Sequence, residues 1–179
     1  MKNNSRIVTR LAVAACLAGA LPLLGGCAGN TKPLPADDPA LQEIEAERAR
    51  FREKKVALIE DAMDLDASEH DAFWREYYGY EAELRKNYDE RYRLLKAYAE
   101  HYDSMTNDIA DSLAERALKL REARNDLARK YYRRIKKATS AITAARFLQL
   151  ENEINLLSDL KISSEMPIFP KGMNPLDAK

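Results

Sequence analysis

Residues 67–102 read ASEHDAFWREYYGYEAELRKNYDERYRLLKAYAEHY, and this stretch decides the fold. Phe73, Tyr77, Tyr80, Leu84, Tyr88, Leu95, Tyr98 and Tyr102 recur at helical spacing. Residues three, four and seven apart fall on one stripe of a 3.6-residue turn, so the segment predicts a helix with one apolar, largely aromatic face. No proline interrupts it, Gly79 is its one weak point, and a helix of roughly 35 residues is about 50 Å long. Asp66 with Glu69 three residues later is a D-x-x-E start signal resembling a capping box. Asp103, Ser104 and Thr106 supply a turn and the next cap. A third helix over about 107–138 then repeats the spacing through Ile109, Leu113, Ala117, Leu120, Leu127, Tyr131 and Ile135. Two helices of matched length joined by a short polar turn fold back antiparallel, because each carries a stripe it cannot bury alone.

Outward from this pair, Asp38-Pro39 reads as an N-cap with proline at the first helical position. The helix it opens runs to about Met63, with Leu41, Ile44, Phe51, Val56, Ile59 and Met63 on one face. Its first half is so charged (Glu43, Glu45, Glu47, Arg48, Arg50) that it reads as a solvated extension. Thr139 and Ser140 cap a fourth helix over about 141–162, whose expected apolar face is Ala145, Leu148, Leu150, Ile154 and Leu157. Pairs four apart in the favourable order, such as Asp89 with Arg93 and Asp126 with Lys130, support the register. The expectation is an all-α domain over 39–162: a long antiparallel hairpin with shorter flanking helices packed at its ends. An irregular tail over 163–179 contains Pro167, Pro170 and Pro175. Each long helix keeps one uncovered side, so two protomers are expected to pair along the hairpins as a homodimer.

The amino terminus reads differently. Lys2, Arg6 and Arg10 precede an apolar run from Leu11 to Leu24 that Gly19 and Pro22 break, too short to span about 30 Å of hydrocarbon. The run ends Leu24-Gly25-Gly26-Cys27, which resembles the lipobox of bacterial lipoproteins. The resemblance implies cleavage before Cys27 and lipidation of its sulfur, with about 0.8 kcal/mol gained per buried methylene. A plain secretory peptide cut elsewhere, leaving Cys27 an ordinary thiol, is the competing reading. On the lipoprotein reading, residues 1–26 are a signal peptide and 27–38, with Pro33 and Pro35, a flexible tether. Cys16 is then discarded and Cys27 consumed, so no disulfide holds the domain. Ala28, with no aspartate at that position, resembles lipoproteins sent to the periplasmic face of an outer membrane.

Chemistry finds little purchase. The chain holds 29 basic and 29 acidic residues, and removing three cations with the signal leaves a slightly acidic domain, unlike a general polyanion binder. His70 and His101 are its two imidazoles, and on one helix they lie roughly 46 Å apart. No nucleophile with a partnered base assembles, so no enzyme and no cofactor are expected. His70 with Glu69 and Asp71 is a weak metal candidate, weighed against an acidic helix start that favours the dipole. Asp64-Leu65-Asp66 imitates a calcium loop, but Glu69 and Arg75 stand where glycine and glutamate are needed. The run Arg129 to Lys137 is basic with interleaved aromatics. In the last turns of a helix it complements the dipole; the other reading is an anionic envelope surface, and nucleic acid is not expected in an exported protein. Of nine tyrosines, Tyr78, Tyr92 and Tyr132 lie off the main stripes and are candidates for a surface that grips unfolded proteins, core or boundary packing being the other reading.

Leu65-Asp66-Ala67-Ser68-Glu69 and Met105-Thr106-Asn107-Asp108-Ile109 resemble the L-T-x-x-Q element of the Spy/CpxP group of periplasmic chaperones and stress sensors, with Asp66 in place of threonine and no glutamine in either. The resemblance covers roughly residues 50–165. It implies a helical hairpin and an ATP-independent holding activity toward unfolded or envelope proteins. The alternative is a structural or regulatory lipoprotein that docks one specific envelope partner.

Overall fold

A computed structural model describes residues 39–170, with the side chains of 39–44 not described. The stripe of the decisive stretch produces one uninterrupted helix. Four helices follow in order: α1 (Pro39–Met63), α2 (Ala67–His101), α3 (Asn107–Ala138) and α4 (Ala141–Glu165), with a 3-10 turn over Tyr102–Ser104. No strand occurs among the described residues. Each boundary has a local cause. Asp64, at φ 43°, ends α1 in the left-handed region, where aspartate is better tolerated than most residues. Thr106 and Ser140 accept hydrogen bonds from the amides of Ile109 and Thr143, opening α3 and α4. Gly79 does not break α2. A Cβ there would lie 3.1 Å from the Tyr131 hydroxyl, so the missing side chain makes room for α3.

Side-chain pairs set the topology. Lys55 meets Glu81 and Arg48 meets Asp89, so α1 and α2 run antiparallel. Asn87 with the Leu120 carbonyl and Arg134 with Glu76 make α2 and α3 antiparallel. Glu69 with Thr143, Tyr80 with Glu151 and Arg91 with Asp159 make α2 and α4 parallel. The result is an up-down-up-down four-helix bundle, the simplest solution for helices joined by short turns.

This arrangement corrects the expected placement of the shorter helices. The shorter helices α1 and α4 lie along the α2–α3 hairpin and not at its ends. The hairpin face expected to pair with a second copy is therefore covered within one chain: Phe147 and Ile154 of α4 and Ile59 and Met63 of α1 pack on Phe73, Tyr77, Tyr80 and Leu84.

The faces of α1 and α4 also differ from expectation. The first half of α1 is not a solvated extension, since Arg48 is only 1% exposed. In α4 the buried residues are Thr143, Ala144, Phe147, Glu151, Ile154, Ser158 and Ile162, while Ala145, Leu148 and Leu157 face outward and Leu150 is half-buried. The helix continues to Glu165, three residues past the expected end. Polar residues on its inner face concealed the true stripe.

Candidate functional site

The inner face of α1 places Arg48, Lys55, Ile59 and Met63 in one column, and two of these are cations. Lys55 donates to Glu81 at 2.6 Å and to Glu151 at 2.8 and 3.0 Å. Tyr77 and Tyr80 donate their hydroxyls to Glu151 at 3.1 and 3.0 Å, and both rings lie within 5.8 Å of the ammonium. Burial alone would lower the Lys55 pKa, but Glu151 and Glu81 outweigh it and hold the ammonium well above its usual value. The Glu151 carboxyl is raised by burial against the pull of Lys55, with Glu81 adding to the rise, because one cation cannot fully satisfy two carboxylates. Burial also raises Tyr77 and Tyr80 well above the ordinary phenol. The cluster is an internal strut joining α1, α2 and α4. Its nearly complete burial removes it from contact with a substrate.

The second feature lies at the other end, between α2, α3 and α4. Leu94, Leu95, Leu113, Ala117 and Ile162 line a cavity of about 230 Å³, with Arg91, Arg121, Arg124 and Asp159 among its polar lining. Asp159 accepts from Arg91 at 2.6 Å and from Arg124 at 2.8 and 3.2 Å. Burial pushes its pKa up, but the two guanidiniums prevail and hold it below the usual carboxylate range. The chain beyond α4 folds back over this end, where Tyr98 donates to the Pro167 carbonyl at 2.6 Å and stacks edge-on against Phe169 at 4.9 Å.

The residues singled out in the sequence do not converge on either feature. Cys27 and the lipobox residues Leu24, Gly25 and Gly26 lie outside the described residues. Leu65 is half-buried against the core. Asp66 occupies the N-cap of α2 without a side-chain cap, and the Glu69 carboxylate accepts from the Thr143 hydroxyl, so the expected capping box does not form. Thr106 is a true cap. Tyr78 is 56% exposed, with its ring 5.3 Å from Trp74, whereas Tyr92 is buried at 4% and Tyr132 is half-buried against the core. Tyr92 therefore cannot belong to a surface, and the three form no shared aromatic face. His70 lies between Asp71 and Glu60, at 3.1 and 3.3 Å, and the hydrogen bond its ring donates to Asp71 leads in raising its pKa. The basic run is partly neutralised across the hairpin: Arg134 pairs with Glu76, Lys130 pairs with Glu83, and both cations lie over the Tyr131 ring.

Two signals could have exposed what sequence reasoning missed. Arg48, Lys55, Ile59 and Met63 are seven, four and four apart, so two cations share the stripe of two core residues. Glu151 likewise falls four after Phe147 and three before Ile154. The cavity left no such trace, because it depends on the spacing between helices. No family model, curated protein or solved structure matches the chain. Among the described residues, no helix is long and apolar enough to cross a membrane.

Proposed function

We propose that this chain is a lipid-anchored protein of the bacterial envelope that binds one protein partner without catalysis, through the outer face of α4. The observation that carries the binding face is a cluster of leucines. Leu156, Leu157 and Leu160 are 59, 69 and 67% exposed on adjacent turns of α4. Burying a leucine is worth about 1.5–3 kcal/mol, so three side by side form a compact docking patch. The partner that fits presents an apolar face of similar size. The envelope address is supported by Leu24-Gly25-Gly26-Cys27 and the basic residues before it.

Holding of many unfolded clients, as the Spy/CpxP resemblance implies, is the second reading. Exposed Tyr78 beside Trp74 favours it, but burial of Tyr92 removes part of the broad aromatic surface it needs.

Crosslinking and pull-down from membranes, comparing the natural chain with Leu156→Glu/Leu160→Glu, tests the proposal. One stoichiometric partner lost in the variant supports docking, and a self-crosslinked pair lost in the variant assigns the leucines to a homodimer. Many substoichiometric partners, together with suppressed light scattering by a heated client, support holding. A native protein with an unmodified Cys27 sulfhydryl by mass spectrometry overturns the anchor.

A further inference from the structure

The cavity at the α2–α3 turn end has the composition of a binding site: apolar walls with a few convergent charges. Its volume of about 230 Å³ exceeds the roughly 150 Å³ that accommodates a benzene. The walls are aliphatic, from Leu94, Leu95 and Leu113 to Ile162, with Phe169 and Met166 also in the lining. This suits a flexible hydrocarbon chain better than a polar metabolite.

The charge balance points the same way. Arg91 and Arg124 share the single carboxylate of Asp159, and each guanidinium has more donors than that carboxylate can engage. Arg121, on α3, completes the lining from a solvent-exposed position. Three cations against one anion favour an anionic head, and the planar fork of arginine matches a carboxylate in particular.

The position of the cavity adds a third argument, which rests on the lipid-anchor reading. Arg48 lies beside Asp89 in an antiparallel pair. Nine residues along each helix, about 14 Å at 1.5 Å per residue, Pro39 therefore comes level with Tyr98, which lines the cavity. The twelve peptide units from Cys27 to Pro39 reach at most about 40 Å. A lipidated Cys27 would hold the cavity end near the bilayer, where single-chain amphiphiles partition.

We propose that this cavity binds a single-chain anionic amphiphile of the fatty-acid class, its chain among the leucines and its carboxylate on Arg121 and the Arg91–Arg124 pair.

Calorimetric titration of the full chain carrying Cys27→Ser, which has no acyl group of its own, tests this with monomeric decanoate, decyl phosphate and decanol. Saturable one-to-one binding is expected, with decanoate at least tenfold tighter than decanol. Arg121→Glu is expected to reduce that ratio about tenfold. Ala117→Phe fills the cavity and should abolish binding; Ser163→Trp, at an exposed lining position, should do the same without burdening the core. Decyl phosphate binding as tightly as decanoate keeps the anionic head but assigns it to either acid. Absence of saturable binding, equal affinity for decanoate and decanol, or binding unaffected by both Ala117→Phe and Ser163→Trp overturns the proposal. Because this protein lacks the acylated sulfur, a negative result counts against the cavity alone, while mass spectrometry of native Cys27 judges the anchor separately.

Discussion

In the half of the bundle next to the Asp64–Asp66 turn, Tyr77, Tyr80 and Phe147 close tightly around Lys55 and Glu151. In the half next to the Tyr102–Ser104 turn, Leu94, Leu113 and Ile162 line the cavity. The first half fixes three helices to one another by directional bonds, each dependent on the rest. The second packs a smaller core of Tyr98, Met105 and Leu113 and leaves room for a guest. The contrast separates specification of the fold from capacity to bind, and assigns them to opposite ends of one hairpin.

Alkaline titration should expose the first half most sharply. Burial raises Tyr77, Tyr80 and Tyr88 above the phenol value of 10.0 in the folded protein, while unfolded tyrosines ionise near it. The folded state then holds protons that the unfolded state has lost, so this stability is present below pH 10 and falls as pH rises. Each group contributes about 1.4 kcal/mol per pH unit, and three together roughly 4. Lys55 acts in the same direction above 10.5, because its folded value is also raised. Urea midpoints measured across this range should drop steeply, with the tyrosinate absorbance of these three buried rings appearing only on unfolding. Ionisation of Tyr77, Tyr80 and Tyr88 while the protein stays folded would break the contrast.

Lys55→Met leaves Glu81 and Glu151 buried without their cation and should cost about 3–5 kcal/mol by urea denaturation. Adding Glu151→Leu should recover part of the loss; a double variant weaker than the single one would mean that the strut acts through more than charge. Truncation then compares the halves directly. Phe147→Ala opens a cavity in the tight half, at about 3–5 kcal/mol, whereas Leu113→Ala enlarges space already present and should fall near the low end, about 2. Equal losses would remove the distinction in packing. Smallest are the caps. Thr106→Ala should lower stability by about 1 kcal/mol, and Asp66→Ala by no more than a few tenths, since only Thr106 makes the capping bond.

Much of the scaffold was readable from residue order. The spacing of Phe73 through Tyr98 marked the buried face of α2, and Thr106 and Ser140 marked the starts of α3 and α4, because caps and stripes depend on neighbours a few positions away. The strut was not readable in the same way. Lys55 and Glu151 are 96 positions apart, and each looks like a surface residue until the other is placed beside it. The same cause hid the inner face of α4, whose Thr143, Glu151 and Ser158 masked the apolar period. Leu148 and Leu157 were misleading in the opposite sense, as leucines expected inside that remain outside. The cavity depends on how far α4 stands from α2 and α3, which no periodicity encodes.

Trp74 is the only tryptophan in the chain, and it sits in the tight half, edge-on to Phe73 and Tyr77 at 5.4 and 5.3 Å. Intrinsic fluorescence therefore watches a single neighbourhood. An emission-detected melting curve follows the loss of the ring cluster and is nearly silent about loosening at the opposite end. Overlaying it on a helicity-detected curve turns this one indole into a built-in test of whether the two halves come apart together.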